Sequence, residues 1–408
     1  MKFLLVHQNF PGQFLHLVRH LVKSKTHEVV FLSEPNTNAI PGVRKVPYRK
    51  PPPVSADTHW AVRELDAALR RADVVGQTAT NLKQLGFTPD IIIGHHGWGE
   101  MLNLPDVWPG VPMLGYMEFY YHTDGIDVGF DAEFPIPVSE FPRIRAKNAV
   151  NHLALSLGQH GQTPTEWQRS TYPSWSHEQI HLLPEGVDLA ACAPTAKARR
   201  TKLQIGDAMI GPQEKLVTYV ARDLEPYRGF HILMRTLPLL LKARKDLRMV
   251  VVGGDGVSYG AAAANGTWRE TLLAELGNKI DLGRVIFPGR VDYTTYLNLL
   301  KRSDAHVYLT YPFVASWSLR EALASGCAVI GSDTEPVREF ITHGVNGLLA
   351  PFFDTKALAR QILRVIEDET LSKKLRAGAR RYAEQHLSMD DYIGAYETLI
   401  DGIITNHP

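Results

Sequence analysis

The feature that most constrains this chain is an alternation of short apolar runs with segments of helical period, which occurs twice. Lys2–His7 is a short apolar strand, and Asn9–Gly12 a turn. Gln13–Lys23 then places Phe14, Leu17, Val18, Leu21 and Val22 at the spacing of an amphipathic helix. His27–Leu32, Asp90–Ile93, Pro112–Met117 and His152–Leu157 repeat the strand pattern, His59–Leu85 the helical one. Pro41–Val54, rich in Pro and basic residues, reads as an extended loop. A second series starts afresh at Leu216–Ala221, with further strands at Arg248–Val252, Val285–Phe287, Ala305–Leu309 and Ala328–Gly331. Strands alternating with helices predict an α/β fold of parallel sheets covered on both faces. On this reading residues 1–190 form an N-terminal domain, 191–211 a linker and 212–388 a C-terminal domain. The amphipathic helix within 389–408 is expected to pack back on the N-terminal domain.

Composition narrows the class without naming a chemistry. A length of 408 residues suits two domains. Lys and Arg number 44 against 43 Asp and Glu, so the chain lacks the basic excess of a nucleic-acid binder. Two cysteines, Cys192 and Cys327, are too few for a disulfide framework or a structural zinc site, which points to a reducing, cytoplasmic setting. The opening MKFLLVHQNF is too short in its apolar run for a signal peptide. The longest apolar stretch, Ile232–Leu241, is interrupted by Arg235 and Pro238, which excludes a membrane span there. Peripheral contact with the inner membrane face stays open. Arg19, Lys23 and Lys25, and the cluster Lys197, Arg199, Arg200, Lys202, suit anionic lipid or plain solvent.

In parallel sheets, ligands bind outside the carboxyl ends of the strands. In the second series Arg222 closes a strand and Arg228 precedes a helix. Two guanidinium groups flanking one loop suit a diphosphate, although spacing alone favours two solvated arginines. Gly254-x-Gly256 with Gly260 is only a weak dinucleotide fingerprint. In Tyr311–Glu321 a helix is expected near Ser318, capped by Ser316 or Ser318, with free amides for an anion. Glu321, one turn inside, either accepts sugar hydroxyls or simply favours the helix dipole.

In the first series His95, His96, Trp98 and Glu100 follow the strand Asp90–Ile93. Adjacent histidines do not make the zinc helix motif, so no metal is expected; Asp127 and Asp131 are weak candidates. Glu118 sits within an aromatic run where an unpaired carboxylate is costly to bury, so a polar task or a salt bridge is expected. The loop Glu118–Phe134, with Tyr120, Tyr121 and Asp124, offers aromatic faces suited to sugar rings, or else a packed lid.

Several stretches of this chain have a familiar order: VTYVARDLEPYRGFHIL, VVVGGDG, VIFPGRVDYTTYLNLLKRSDAHVYLT, SLREALASGCAVIGSDTEPVREFI, HGVNGLLAPFFD, and LPEGVDLAACAP before them. Together they resemble retaining GT-B glycosyltransferases of glycosyltransferase family 4, as a divergent member. The resemblance implies two Rossmann-like domains facing a central cleft. It further implies transfer of a hexose from a nucleotide-diphosphate sugar to a hydroxyl acceptor, which would be a glycan, a glycolipid or a small molecule. The donor is then a co-substrate, and no cofactor or metal is called for.

Residue by residue, Arg222 and Arg228 match the basic pair on the donor diphosphate, with Arg228 where Lys is more usual. Ser316, Trp317, Ser318 and Leu319 match the phosphate cradle, Glu321 the ribose ligand, and Arg290 and Val291 the nucleobase wall. Gly12 matches the loop approaching the donor phosphate, and Gly254 falls in the glycine turn on the donor side. Glu118 joins Arg222 and Arg228 as a catalytic candidate; His95, His96, Trp98, Glu100, Tyr120, Tyr121 and Asp124 form the acceptor side. There are two departures. Phe313 stands where the family carries a glutamate, and Glu118 where many members carry a histidine. A nucleotide-sugar epimerase of the same architecture, or a non-catalytic nucleotide-sugar-binding subunit, fits the same residues.

Overall fold

A computed structural model describes residues 1–195 and 197–406. The chain divides into two compact units, Met1–Pro184 with the segment from Asp390 onward, and Glu185–Met389.

The first unit is built on a parallel sheet of β1 (Lys2–Val6), β2 (Glu28–Ser33), β3 (Val43–Pro47), β4 (Ile91–His95), β5 (Met113–Tyr116), β6 (His160–Thr163) and β7 (Ile180–Leu182). Their order is β3-β2-β1-β4-β5-β6-β7. β1 and β4 occupy the middle, and every residue of Ile91–His95 is buried, as expected for a strand covered on both faces. The helix Leu15–Lys23 covers the sheet through Leu17, Val18 and Leu21. The last helix, Met389–Asn406, belongs to this unit from Asp390 onward. Gln162 donates to the Tyr396 hydroxyl at 2.9 Å, and His20 Nε2 lies 2.7 Å from Glu397 Oε1.

Two expectations fail here. Residues 152–156 are helical, within Ala149–Ser156 with Leu157 as its C-cap, and Val150, Ala154 and Leu155 bury one face at helical spacing. The strand follows at His160–Thr163, where polar residues are buried by neighbouring strands, so hydropathy alone does not mark it. The expected loop 41–54 contains β3, an edge strand whose Arg44, Lys45 and terminal Pro47 are tolerated because, among the described residues, it pairs on one side only.

In the second unit an antiparallel hairpin, β8 (Leu203–Ile205) and β9 (Ala208–Ile210), precedes a parallel sheet. The sheet comprises β10 (Lys215–Asp223), β11 (Leu247–Gly254), β12 (Val285–Gly289), β13 (Ala305–Tyr308), β14 (Val329–Ser332) and β15 (Leu348–Ala350). Its order is β12-β11-β10-β13-β14-β15. The expected linker 191–211 is therefore corrected. Ile205 and Ile210 are buried against Leu216, Val250 and Leu299, and Arg199 donates to Asp304 at 2.7 Å. The segment folds into the second unit because two isoleucines and a paired arginine commit it to that core. Residues 196, 407 and 408, within the expected linker and terminal helix, lie outside the described residues. In both sheets the strand order reverses at the centre, between β1 and β4 and between β10 and β13. Open α/β sheets take ligands at the carboxyl side of such a reversal.

Candidate active site

β10 ends at Arg222 and Asp223, and the chain then runs through Glu225 and Arg228 into the helix Phe230–Ala243. Gly229 makes the turn at φ +67, a backbone region that glycine enters freely, with the Leu309 side chain pressed against its Cα. Arg222 is exposed, its guanidinium 5.9 Å from the Tyr259 ring. Arg228 is buried, donates to Thr310 Oγ1 at 2.9 Å and the Val314 carbonyl at 2.8 Å, and stacks 4.9 Å from the same ring. These bonds tie the loop after β10 to the loop after β13, and the Tyr311 amide adds another, donating to the Tyr227 carbonyl at 2.9 Å.

The helix Trp317–Ala324 starts directly behind this junction with Ser316 at its N-cap. Ser316 makes no side-chain cap bond; its Oγ lies 2.6 Å from Ser318 Oγ, and its amide donates to the Tyr308 hydroxyl. The amides of Trp317 and Ser318 precede the first intrahelical bonds and mark the positive end of the helix. Leu319 is corrected: its amide donates to the Ser316 carbonyl and its side chain is wholly buried, so it supplies core and no cradle. Trp317 is partly exposed, with its indole N–H donating to Glu185 at 2.8 Å. Glu321 accepts from the hydroxyls of Tyr293 and Tyr296, each at 2.8 Å.

Arg290 and Val291 follow β12. Arg290 is exposed and donates to Asp223 at 2.9 Å, while Val291 is half-buried against the core. Gly254 ends β11 where a Cβ would meet Asp223 Oδ1 at 2.6 Å and Arg290 Nε at 2.9 Å. Burial alone would raise the Asp223 carboxyl, but the Ser258 hydroxyl and Arg290 hold it below its usual value. Glu225, fully buried, accepts from the amides of Ser258, Tyr259 and Gly260, which anchors the loop after β11 over the arginines. Phe313 is buried, edge-on to Tyr259 at 5.0 Å and to Tyr227 at 5.8 Å, so an aromatic wall stands at that position.

In the first unit, the carboxyl ends of β1, β4 and β5 bring His7, His95, Tyr116 and Glu118 together. The rings of His7 and His95 meet edge to face at 5.6 Å, and His95 stacks on Tyr116 at 5.5 Å. The Gly97 amide donates to His95 Nδ1 at 3.1 Å. That leaves the proton on Nε2, which faces Glu118 Oε2 at 3.6 Å. Trp98, exposed, lies 6.0 Å from the His95 ring. Burial, reinforced by His95, lowers the pKa of His7 to about 3, so His7 is neutral at physiological pH. Gly12 sits at φ +55 with the place of a Cβ 2.9 Å from the His7 ring, so the turn closes down on this cluster.

Two acceptor-side candidates are corrected. His96 is wholly buried, bonded to the Val150 carbonyl and lowered to about 4 by burial, because consecutive residues at a strand end point to opposite faces. Glu100 is also wholly buried, 3.8 Å from Arg71 and 3.5 Å from the Tyr48 hydroxyl, which makes it an internal ion-pair partner. Tyr120 bonds His152 at 2.9 Å, Tyr121 lies under Lys147 and within reach of the Glu118 charge, and Asp124 is exposed on the loop. Sequence reasoning missed His7, although the strand-end rule applied to β1 would have found it. It also missed Asp223, Glu225, Tyr259, Tyr293 and Tyr296, whose roles depend on partners far along the chain.

Two Rossmann-like units, each with a polar cluster at a sheet reversal, define the GT-B class of protein. Residues 25–192 match the glycosyl transferase family 4 group, and residues 205–385 match glycosyl transferases group 1. The chain belongs to the family 4 glycosyltransferases. It is 28% identical over 229 residues to a D-inositol 3-phosphate glycosyltransferase of Jonesia denitrificans, covering 54% of this chain and 51% of that protein. It is 28% identical over 215 residues to a phosphatidyl-myo-inositol mannosyltransferase of Mycolicibacterium smegmatis, covering 52% and 48%. The chain thus spans about half the length of these curated relatives. In fold it resembles the sucrose-phosphate synthase of Thermosynechococcus elongatus, with a TM-score of 0.74 at 17% identity over 99% of each chain. HepE of Anabaena, solved with UDP and glucose, gives 0.69 at 17% identity over 98% of this chain and 99% of its own. Among the described residues no helix is long and apolar enough to cross a membrane.

Proposed function

We propose that this chain transfers a hexose from a nucleoside-diphosphate sugar to a hydroxyl acceptor, with retention at the anomeric carbon. The observation that carries the reading is the junction after β10 and β13, where Arg222, Arg228 and the start of the helix Trp317–Ala324 converge. Guanidinium groups beside the positive end of a helix are a ready site for a diphosphate. In transfer, the bond between the anomeric carbon and the diphosphate oxygen breaks, and a bond to the acceptor oxygen forms. The arginines neutralise charge on the departing diphosphate, and this is where fixed charge lowers the barrier most. Arg228 is pre-oriented by Thr310 and Val314, while exposed Arg222 completes the grip when the donor arrives. Glu321 receives the ribose, and Arg290 with Val291 borders the base.

The His7, His95, Glu118 and Trp98 cluster receives the acceptor. Trp98 offers an apolar face to a sugar or cyclitol ring, and Glu118, backed by His95, accepts from the reacting hydroxyl. HepE was solved with UDP-glucose, which makes UDP-sugars the first donors to try. The phosphorylated and lipid-linked inositols in the relatives' names are the first acceptors to try. The setting proposed is the cytoplasmic side, with peripheral membrane contact where the acceptor is lipid-linked. Incubation with UDP-, GDP- or ADP-hexose should release nucleoside diphosphate and label the acceptor. A donor that is bound but converted to an isomeric nucleotide sugar without any acceptor would overturn the transferase reading.

A further inference from the structure

Glu321 is held more tightly than ribose recognition alone requires. Its two oxygens are taken by different tyrosines: Tyr293 donates to Oε1 and Tyr296 to Oε2, each at 2.8 Å. Both tyrosines stand in the first turn of the helix Tyr293–Arg302, whose start is fixed by Asp292 accepting from the Thr295 amide. Their rings lie 5.9 Å apart; Tyr296 is buried, while Tyr293 is 52% exposed. An ionised carboxylate has about four lone-pair sites. With one hydroxyl on each oxygen, the group cannot turn about its own axis without breaking a bond, and each oxygen keeps a direction free.

We propose that Tyr293 and Tyr296 are positioning residues that fix the plane of Glu321, so that its two oxygens together accept the vicinal hydroxyls of a ribose. The inference rests on the donor-site reading above and goes beyond it, because it makes the site selective for ribonucleotides over deoxyribonucleotides. A buried acceptor built for a hydroxyl discriminates strongly against a ligand that lacks it, since its own hydrogen bond is then unmet. Burial raises the proton affinity of Glu321, and the two tyrosine hydroxyls oppose that rise. The other titratable groups around it are the Cys192 thiol, pushed up to about 12 chiefly by burial, and Asp188 and Lys301, which act on Cys192.

The test is calorimetric titration of UDP, GDP and ADP and of their 2′-deoxy counterparts into the full chain from pH 5 to 8. The proteins compared are wild type, Glu321→Ala, Tyr293→Phe and Tyr296→Phe. Glu321→Ala should erase the preference for the ribonucleotide. Each Phe variant should cut that preference about fivefold, the worth of one ordinary hydrogen bond. Each should also lose ribonucleotide binding at a higher pH than wild type, because a carboxylate stripped of a donor protonates more readily. Phe variants with wild-type preference and pH profile would overturn the proposal while Glu321→Ala still erased the preference. A preserved preference in Glu321→Ala would instead remove the ribose reading itself. Tyr293 is half exposed, so its variant decides the matter even where Tyr296→Phe lowers the melting temperature.

Discussion

At the carboxyl ends of β1, β4 and β5 the polar groups are two imidazoles and one carboxylate; at those of β10, β12 and β13 they are guanidinium groups, carboxylates and a helix start. In the second cluster nearly every charge has a partner in place: Arg228 on Val314, Arg290 on Asp223, Glu225 on three amides, Glu321 on two tyrosines. In the first, burial keeps His7 neutral, and His95 Nε2 faces Glu118 at 3.6 Å. The contrast suits the ligands proposed for each. A diphosphate carries its own charge, so its host must be ordered beforehand to offset the loss of water. A hydroxyl is neutral, and a host for it needs aromatic surface and a proton acceptor able to adjust.

Four measurements would break or sharpen this contrast. Phe313→Ala should have the largest effect, about 3–5 kcal/mol of stability from emptying a buried aromatic site, read by urea unfolding. A small loss would mean that the wall beside Arg228 is not packed as a core. Next, Arg222→Ala should weaken nucleoside-diphosphate binding about 10- to 100-fold, as for a lost charged hydrogen bond, with an unchanged melting temperature because the residue is exposed. Arg228→Ala should lower both binding and melting temperature, since it leaves the Val314 carbonyl and Thr310 hydroxyl unmet.

The third concerns acid. Burial lowers His7 to about 3 and His96 to about 4 in the first unit, and His306 to about 3 in the second. A histidine free in the unfolded chain titrates near about 6.5. Below that pH the unfolded chain takes up protons the native state refuses, so stability is full above it and falls toward pH 4. Hydrogen exchange at pH 7 and 5 should show protection lost sooner in β1 and β4 than in β10 and β13. Equal losses would show that the imidazoles do not set the acid sensitivity. The smallest effect is expected from Gly12→Ala, about 1–2 kcal/mol for a left-handed non-glycine residue pressed on the His7 ring.

Much of this was legible in the sequence, for reasons that can be named. Arg222, Arg228, Ser316, Ser318 and Glu321 stand out as candidates because they lie within a few residues of a strand end or helix start, where apolar periodicity stops. His95 stands out by the same rule, and Glu118 by the cost of burying a carboxylate in an aromatic run. The rule failed where two residues share a strand end but not a side: His96 follows His95 and turns into the core. It failed again at Glu100, whose partners Tyr48 and Arg71 come from other parts of the chain. The hairpin of β8 and β9 was taken for a linker because its two buried isoleucines are too few to show a period.

The sequence by itself determined the two α/β series, their strand ends and the residue types offered there, because these depend on local period and on spacing of a few residues. Only the tertiary structure decided which of those residues are met and which are poised. The bonds of Glu321 to Tyr293 and Tyr296, of Arg290 to Asp223, and of Gln162 to Tyr396 span 28, 25, 67 and 234 positions. Contacts of that reach form only when separate strands and helices are packed together, and no local pattern encodes them.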